Sequence, residues 1–330
     1  MNNNKLTSKT KICAVIGDPI EHSMSPVIHN AAFHATKLDF AYVAFQVTNL
    51  NFAIMGMRAL GIRGFSVTLP HKIDAMNYVD KLDPVAKNIG AINTIVNDNG
   101  TLIGYNTDGD GALKAIEEKT KLDNKKILIL GAGGAARAIA LTIAMKRKPE
   151  QITILNREMK KAENLIRDVK KAVKINAKAD HFTDQNIKDE TSKADIIINT
   201  TPIGMSPRKN LTPIPNFWIP PGKVVFDIIY NPMETKLLNE AKEKGCKVIS
   251  GIEMFINQAA EQFKLFTGKP APKEIMRKTV LAELRQKPVR YPTQKISPSK
   301  KPEGYVKQFK PKKRYPKKPT MRDISAHKQD

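Results

Sequence analysis

The chain has 330 residues, enough for two domains with cores of their own. Charged residues make up 26% and hydrophobic ones 41%, and no apolar run approaches the roughly 20 residues that a membrane helix needs. The net charge is +23, and the two cysteines, Cys13 and Cys246, are too far apart for C-x-x-C chemistry and too few for a disulfide framework.

Both cysteines are expected to be free thiols in or near the core. The polar, lysine-bearing start, residues 1–10, is followed by no apolar stretch long enough for a signal peptide, which points to the cytoplasm. His22, His29, His34 and His71 lack metal-ligand spacing, so no metal is expected.

In chain order, residues 11–16 form a short β-rich run that ends at Gly17-Asp18-Pro19. Ser25-Pro26 opens an amphipathic helix over 27–35, with Ser25 as N-cap and proline in the first turn. Residues 41–47 alternate as a strand, 50–60 read as a helix ending at Gly61, and 64–68 as a strand. Residues 92–96 and 101–105 flank Asn97-Asp98-Asn99-Gly100, a hairpin signal. A helix over 109–119 bridges into a second domain. There, 125–130 reads as a buried strand that runs into Gly131-Ala132-Gly133-Gly134-Ala135-Ala136 and a helix over 135–145. Further strands at 152–155, 196–199, 224–229 and 247–249, with helices between most of them, predict a parallel sheet covered on both faces. Helices over 251–267 and 273–285 follow.

Residues 287–330 carry 14 Lys and Arg against 3 Asp and Glu, with seven prolines. Such a segment buries too little apolar surface to offset ordering and is expected to be disordered. Its cluster Lys312-Lys313-Arg314-Tyr315-Pro316-Lys317-Lys318, with Tyr291, Tyr305 and Phe309 upstream, leaves room for weak contact with nucleic acid or another polyanion. The alternative is a solvated appendage without a specific ligand.

The glycine turn has the context of a dinucleotide site. In G-x-G-x-x-A at Gly131, Gly133 and Ala136, a strand precedes and a helix follows. Ala132, Gly134 and Ala135 complete the backbone that approaches a pyrophosphate at a helix N-terminus. The second strand of the unit ends in Asn156-Arg157, with Lys160 and Lys161 one turn on, where an NAD enzyme carries an acid. A guanidinium matches a phosphate, so the 2′-phosphate of NADP is the expected ligand.

A further set of blocks runs in order along residues 12–270. They are Gly17-Asp18-Pro19-Ile20-Glu21-His22-Ser23-Met24-Ser25-Pro26, Gly64-Phe65-Ser66-Val67-Thr68-Leu69-Pro70-His71-Lys72, Gly90-Ala91-Ile92-Asn93-Thr94, and Gly104-Tyr105-Asn106-Thr107-Asp108-Gly109. Later come Asn199-Thr200-Thr201-Pro202-Ile203-Gly204-Met205, Asp227-Ile228-Ile229-Tyr230-Asn231-Pro232 and Gln258-Ala259-Ala260-Glu261-Gln262-Phe263. Together these resemble the shikimate dehydrogenase family.

The resemblance implies an α/β chain of two domains. Residues 1–107 plus 252–286 would form the substrate-binding domain, and 108–251 a Rossmann-like NADP domain. It also implies reversible NADPH-dependent reduction of 3-dehydroshikimate to shikimate in aromatic (chorismate) biosynthesis. Ser23 and Ser25 would bind the substrate carboxylate. They sit two apart, so they face one side in an extended chain, to which Pro26 biases Ser25. Lys72 and Asp108 would manage the hydroxyl proton as hydride leaves. Read alone, Lys72 is a solvated lysine at the start of a short helix and Asp108 a cap for the helix at Gly109. Which of the two accepts the proton does not follow from the sequence.

Thr68, Asn93 and Gln258 carry over as partners of the ring hydroxyls, and Tyr230 as a residue near the substrate. Thr201, Met205 and Gly251 carry over to the nicotinamide side. Glu158 departs from the family's Asn-Arg-Thr and leaves NAD open beside NADP. The rival readings are a quinate/shikimate dehydrogenase using either cofactor and a non-catalytic nucleotide binder acting through its tail. Monomer and homodimer are both compatible with the sequence.

Overall fold

The computed structural model describes residues 6–286; the basic segment 287–330 and its expected disorder lie outside them. The fold carries two six-stranded sheets. The first is made of β1 (Lys11–Gly17), β2 (Phe40–Gln46), β3 (Gly64–Val67), β4 (Lys81–Leu82), β5 (Thr94–Asp98) and β6 (Thr101–Tyr105), in the order β2-β1-β3-β5-β6-β4. β1 pairs in parallel with β2 and β3, whereas β3–β5 and β5–β6 are antiparallel. The hairpin between β5 and β6 closes on Asn99 and Gly100, both at positive φ, as the Asn-Gly pair predicts.

Helices α1 (Ser25–Ala35), α2 (Leu50–Ala59) and α3 (Pro84–Ile89) are interleaved with these strands. α4 (Asp108–Glu117) then leads to the second sheet. Its strands are β7 (Lys126–Leu130), β8 (Gln151–Asn156), β9 (Ala177–His181), β10 (Ile196–Asn199), β11 (Val224–Asp227) and β12 (Lys247–Ile249), and between them lie α5 (Gly134–Lys146), α6 (Met159–Ala172), α7 (Asp184–Lys193) and α8 (Lys236–Glu243). This sheet is parallel throughout, in the order β12-β11-β10-β7-β8-β9. Two last helices, α9 (Gly251–Thr267) and α10 (Lys273–Gln286), return the chain to the first sheet.

Alternation along each strand decides which helix it buries. On β1, Cys13 and Val15 face Ile256, Phe263 and Phe266 of α9, while Ala14 and Ile16 face Ile54 and Met57 of α2. In the second sheet, Ile127 and Ile129 pack with Ile139 and Ile143 of α5. Leu128 and Leu130 pack with Ile187 of α7 and Leu237 of α8. Both central strands are therefore covered on two faces, which is why they read as continuous apolar runs.

Three elements depart from the sequence reading. α3 is only six residues, too short to show a period, although Asp83 caps it through the Val85 and Ala86 amides and Gly90 ends it at φ +73°. β4 has two residues. β9 is an edge strand of sequence AKADH, with no apolar run to mark it. A correction concerns Ser25. It is the first residue of α1 rather than its N-cap and is not extended; Met24 takes the cap position without a side-chain bond. Ser23 Oγ accepts the Ser25 amide at 3.3 Å instead. With Pro26 following directly, the bias of a pre-proline residue toward extended backbone gives way here to the helix.

Candidate active site

The chain brings its polar blocks together at one cleft of about 340 Å³ between the carboxyl ends of the first sheet and α9. Ser23, Ser25, Thr68, Lys72, Asn93, Asp108, Tyr230 and Gln258 all line it. Close packing of α4 makes this possible. A Cβ on Gly111 would sit 2.8 Å from the Gln258 amide nitrogen and the Met254 carbonyl, so only glycine lets α4 approach α9. Asp108, at the start of α4, is thereby carried to the cleft beside Gln258.

Lys72 lies in the turn after β3, ahead of the 3-10 helix Asp74–Tyr78. Its Nζ donates to Asp108 Oδ2 at 2.6 Å. Asn93 Nδ2 donates to Asp108 Oδ1 at 2.9 Å and to Thr107 Oγ1 at 2.9 Å. The Asn93 oxygen accepts the Thr107 amide and the Thr94 hydroxyl, each at 2.8 Å. Asn93 is 2% exposed, so its amide has a single orientation and presents a donor to the carboxylate. Asp108 does not cap its helix; Thr107 holds the cap position. The Asp108 carboxylate is free to serve the cleft, and its two oxygens meet a cation and an amide donor.

At the opposite wall, the first turn of α1 contains no acid, and Ser23 and Ser25 lie at it. That end offers hydroxyls and a helix N-terminus to an anion. Gln258 Nε2 is turned to the Phe255 carbonyl at 3.0 Å, and Tyr230 stacks on the Phe255 ring with centroids 5.4 Å apart.

A second cleft of about 560 Å³ opens along the carboxyl ends of β7 and β8. Gly131, Ala132, Gly133, Gly134, Asn156, Arg157, Lys161 and Thr201 line it. Gly131 turns at φ +103° directly after β7, and no side chain caps α5. Cβ atoms built on Gly133 or Gly134 meet nothing within 4 Å, so the uncapped amides face open space. This backbone fits a dinucleotide pyrophosphate. Lys161 Nζ pairs with Glu158 Oε1 at 2.8 Å, while Asn156 Nδ2 holds the Glu158 carbonyl at 2.9 Å. Ala135 lies in the first turn of α5 and is not among the residues lining this cleft. Met205 stands outside both clefts, 41% exposed, and Gly251 lines the first cleft rather than the second.

Two residues with no role in the sequence reading organise this geometry. Asp227, at the end of β11, is wholly buried and accepts Asn199 Nδ2 at 3.1 Å, Thr235 Oγ1 at 2.7 Å and the Ile229 amide at 3.1 Å. Asn199 in turn holds Thr201. One carboxylate thus ties the Thr201 loop of the second cleft to the Tyr230 loop of the first, and burial pushes its pKa up to about 6. Arg137, in the first half of α5, pairs with Asp168 at 2.6 Å and donates to the Asn88 carbonyl at 3.3 Å and to the Ile89 carbonyl. It joins the glycine-turn helix to the end of α3. The blocks that contain Asp227 and Arg137 were visible in the sequence, but Asn199 lies 28 residues from Asp227, and Asp168 and Asn88 lie 31 and 49 residues from Arg137.

Among the described residues no group of three His, Cys, Asp or Glu side chains is placed to hold a metal, and no helix is long and apolar enough to cross a membrane. Cys13 and Cys246 are both buried free thiols, as expected, and burial pushes Cys13 up to about 12.

Three family profiles match the chain in order. They are the shikimate dehydrogenase substrate binding domain over residues 15–95, shikimate / quinate 5-dehydrogenase over 113–205, and the shikimate 5'-dehydrogenase C-terminal domain over 251–281. The shikimate dehydrogenase (NADP(+)) of Methanobrevibacter smithii is 48% identical over 278 residues, covering 83% of this chain and 98% of that relative. A crystal structure of a shikimate dehydrogenase in complex with NADP+ superposes with a TM-score of 0.78 at 42% identity, covering 84% of this chain and 97% of that one. The Listeria monocytogenes shikimate 5-dehydrogenase, solved with shikimate and NAD, gives a TM-score of 0.80 at 34% identity, covering 84% and 98%. With its substrate-domain, central and C-terminal blocks all matched along one chain, the protein belongs to the shikimate dehydrogenase family.

Proposed function

We propose that this protein is a shikimate dehydrogenase, a cytoplasmic oxidoreductase of aromatic (chorismate) biosynthesis that reversibly reduces 3-dehydroshikimate to shikimate with NADPH. The observation that carries this reading is the Lys72–Asp108 pair at 2.6 Å in a cleft walled by hydroxyl and amide side chains, with the glycine turn of a nucleotide site on the same chain. We read residues 1–107 with 252–286 as the substrate-binding part and 108–251 as the nucleotide-binding part.

In this reading Ser23 and Ser25 fix the substrate carboxylate at the end of α1, where no acid opposes it. Thr68, Asn93, Tyr230 and Gln258 orient the ring by its hydroxyls. NADP, when bound, supplies or accepts the hydride. Lys72 and Asp108 hold and exchange the proton of the reacting oxygen: Lys72 donates toward it during reduction and recovers a proton through Asp108. The low exposure of the pair, 29% for the Lys72 side chain and 16% for that of Asp108, keeps bulk water from competing for that position. Gly131, Ala132, Gly133, Gly134 and Ala135 cradle the pyrophosphate, Asn156, Arg157 and Lys161 take the 2′-phosphate, and Thr201, Met205 and Gly251 flank the nicotinamide.

A second reading concerns cofactor range. The Glu158–Lys161 ion pair diverts one of the cations from a 2′-phosphate, which favours acceptance of NAD beside NADP. Initial rates of reduced-nicotinamide formation with shikimate or quinate, each with NADP or NAD, test both. Shikimate with NADP is expected to be fastest. Comparable rates with quinate or NAD would shift the assignment to a quinate/shikimate dehydrogenase of wider range. No turnover in any combination, from folded protein, would overturn the enzyme reading.

A further inference from the structure

Behind the catalytic pair lies a continuous file of hydrogen bonds that ends on it. Tyr42 Oη donates to Ser66 Oγ at 2.6 Å, and Ser66 Oγ donates to Gln262 Oε1 at 2.8 Å. Gln262 Nε2 donates to Thr94 Oγ1 at 3.1 Å, and Thr94 Oγ1 donates to Asn93 Oδ1 at 2.8 Å. Asn93 then donates to Asp108 Oδ1, whose other oxygen accepts Lys72. Tyr42, Ser66, Thr94, Asn93 and Gln262 are all under 6% exposed, and Tyr42 and Thr94 lie behind the residues that line the first cleft, so their hydroxyls depend on one another for partners.

The direction of this file is set at Gln262. A hydroxyl has one proton to give, so Thr94 donates either to Asn93 or to Gln262. With its oxygen toward Ser66 and its NH2 toward Thr94, Gln262 takes the Ser66 proton and sends the Thr94 proton to Asn93. The reversed amide would capture the Thr94 proton and leave the Asn93 oxygen with fewer donors. What forbids reversal is the Asn93 main-chain carbonyl, 3.3 Å from Gln262 Nε2, which can only accept. Gln262 also comes from α9, a different element from β3 and β5, so it couples the helix that bears Gln258 to the strands that bear Ser66 and Asn93.

We propose that Gln262 is a positioning residue for the reaction. It polarises Thr94 and so holds the Asn93 amide against Asp108, which keeps the carboxylate and Lys72 aligned on the reacting oxygen. The proposal rests on Lys72 and Asp108 being the catalytic pair. Gln262 borders the first cleft, whereas Thr94 does not, so the proposal requires that loss of either residue lower turnover while substrate binding holds.

The test uses the full-length enzyme with Gln262→Met, Thr94→Val, the double variant and Lys72→Ala in parallel. Shikimate oxidation with NADP+ gives kcat and KM, and equilibrium titration gives shikimate affinity. Gln262→Met and Thr94→Val are each expected to lower kcat about ten-fold, as loss of one or two hydrogen bonds in a buried file does, with KM and affinity within about two-fold. The double variant is expected to be no slower than the slower single one, because both break the same file. Multiplying effects, near a hundred-fold, would overturn the proposal by showing that the two residues act independently. So would an unchanged kcat in either single variant while Lys72→Ala is inactive, or a loss carried by KM and affinity instead of kcat. If Gln262→Met does not fold, Thr94→Val decides by the same criteria. Full activity in Lys72→Ala would instead remove the catalytic reading beneath the proposal.

Discussion

The two clefts are built on opposite plans. The first is made of side chains drawn from segments between Ser23 and Gln258, several of them buried and tied to one another by hydrogen bonds. The second is made chiefly of main chain, from one short turn between Gly131 and Gly134, with its cations at the solvent edge. Arg157 and Lys160 are exposed, and the Lys161 side chain is 59% exposed. A side-chain site depends on many distant contacts and concentrates chemistry. A main-chain site depends on local backbone shape and on long-range charge. Substitutions should therefore damage catalysis in the first and affinity in the second.

The largest contrast should come from the pair itself. Lys72→Ala is expected to lower kcat by roughly 10²–10⁴-fold, the range for general acid–base groups, with NADP+ affinity and thermal midpoint little changed. Asp108→Asn should fall in the same range. An equal loss of NADP+ affinity in either variant would blur the separation of the two clefts.

Two glycine substitutions sharpen it next. Gly111→Ala presses a methyl group against main-chain atoms of α9 at 2.8 Å and should cost about 1–3 kcal/mol of stability, with loss of shikimate turnover. Gly133→Ala meets nothing within 4 Å and has ordinary φ, so the fold should be unharmed while NADP+ binding weakens. Urea unfolding and cofactor titration on both variants check this. Equal stability losses would mean that the open space above α5 is not what distinguishes the two glycines.

A third effect lies beneath the first cleft. His29 is fully buried, stacked on Tyr42 with ring centroids 4.4 Å apart, and neither ring nitrogen has a hydrogen-bond partner among the described residues. Burial drives its pKa down to about 3. The unfolded chain takes up a proton at His29 below about pH 6.5, while the folded chain stays neutral there until about pH 3. Its contribution to stability is therefore complete above pH 6.5 and is lost as the pH falls toward 3, by about 1.4 kcal/mol per pH unit within that window. Relative to wild type, His29→Phe should flatten the fall in stability between pH 7 and pH 5. Parallel curves would show that His29 is protonated in the fold.

The smallest effect belongs to the solvent edge of the second cleft. Glu158→Gln frees Lys161 and should tighten NADP+ by a few-fold at most, since an exposed ion pair is worth about 0.2–1 kcal/mol, and should leave NAD+ unchanged. The gain should shrink as salt is raised. An equal gain for NAD+ would show that Glu158 does not act on the 2′-phosphate.

How much of this was legible beforehand follows the same division. The glycine turn, its flanking strand and helix, and the basic end of β8 are local in sequence, and the chain alone marked them. The hairpin at Asn99-Gly100 was readable for the same reason, because its backbone demands positive φ at two adjacent residues. Short or polar elements escaped: α3 offers no period, and β9 offers no apolar run. Ser25 is no cap because the helix begins at Ser25 itself, two residues before the expected start, and Met24 takes the cap position.

By itself, then, the sequence determined most of the order of elements, the apolar strands of both sheets and the glycine turn, while the polar residues of the first cleft followed from its resemblance to the family. Local backbone preference and hydrophobic period act over a few residues, so they are written in the chain directly. Only tertiary structure decided that Asp108 faces Lys72 instead of capping α4, that Asp227 binds two loops into one wall, and that Gln262 meets Ser66 and Thr94. Those outcomes depend on which distant donor reaches a buried acceptor first, and that is fixed by packing of α4 and α9 rather than by any nearby residue.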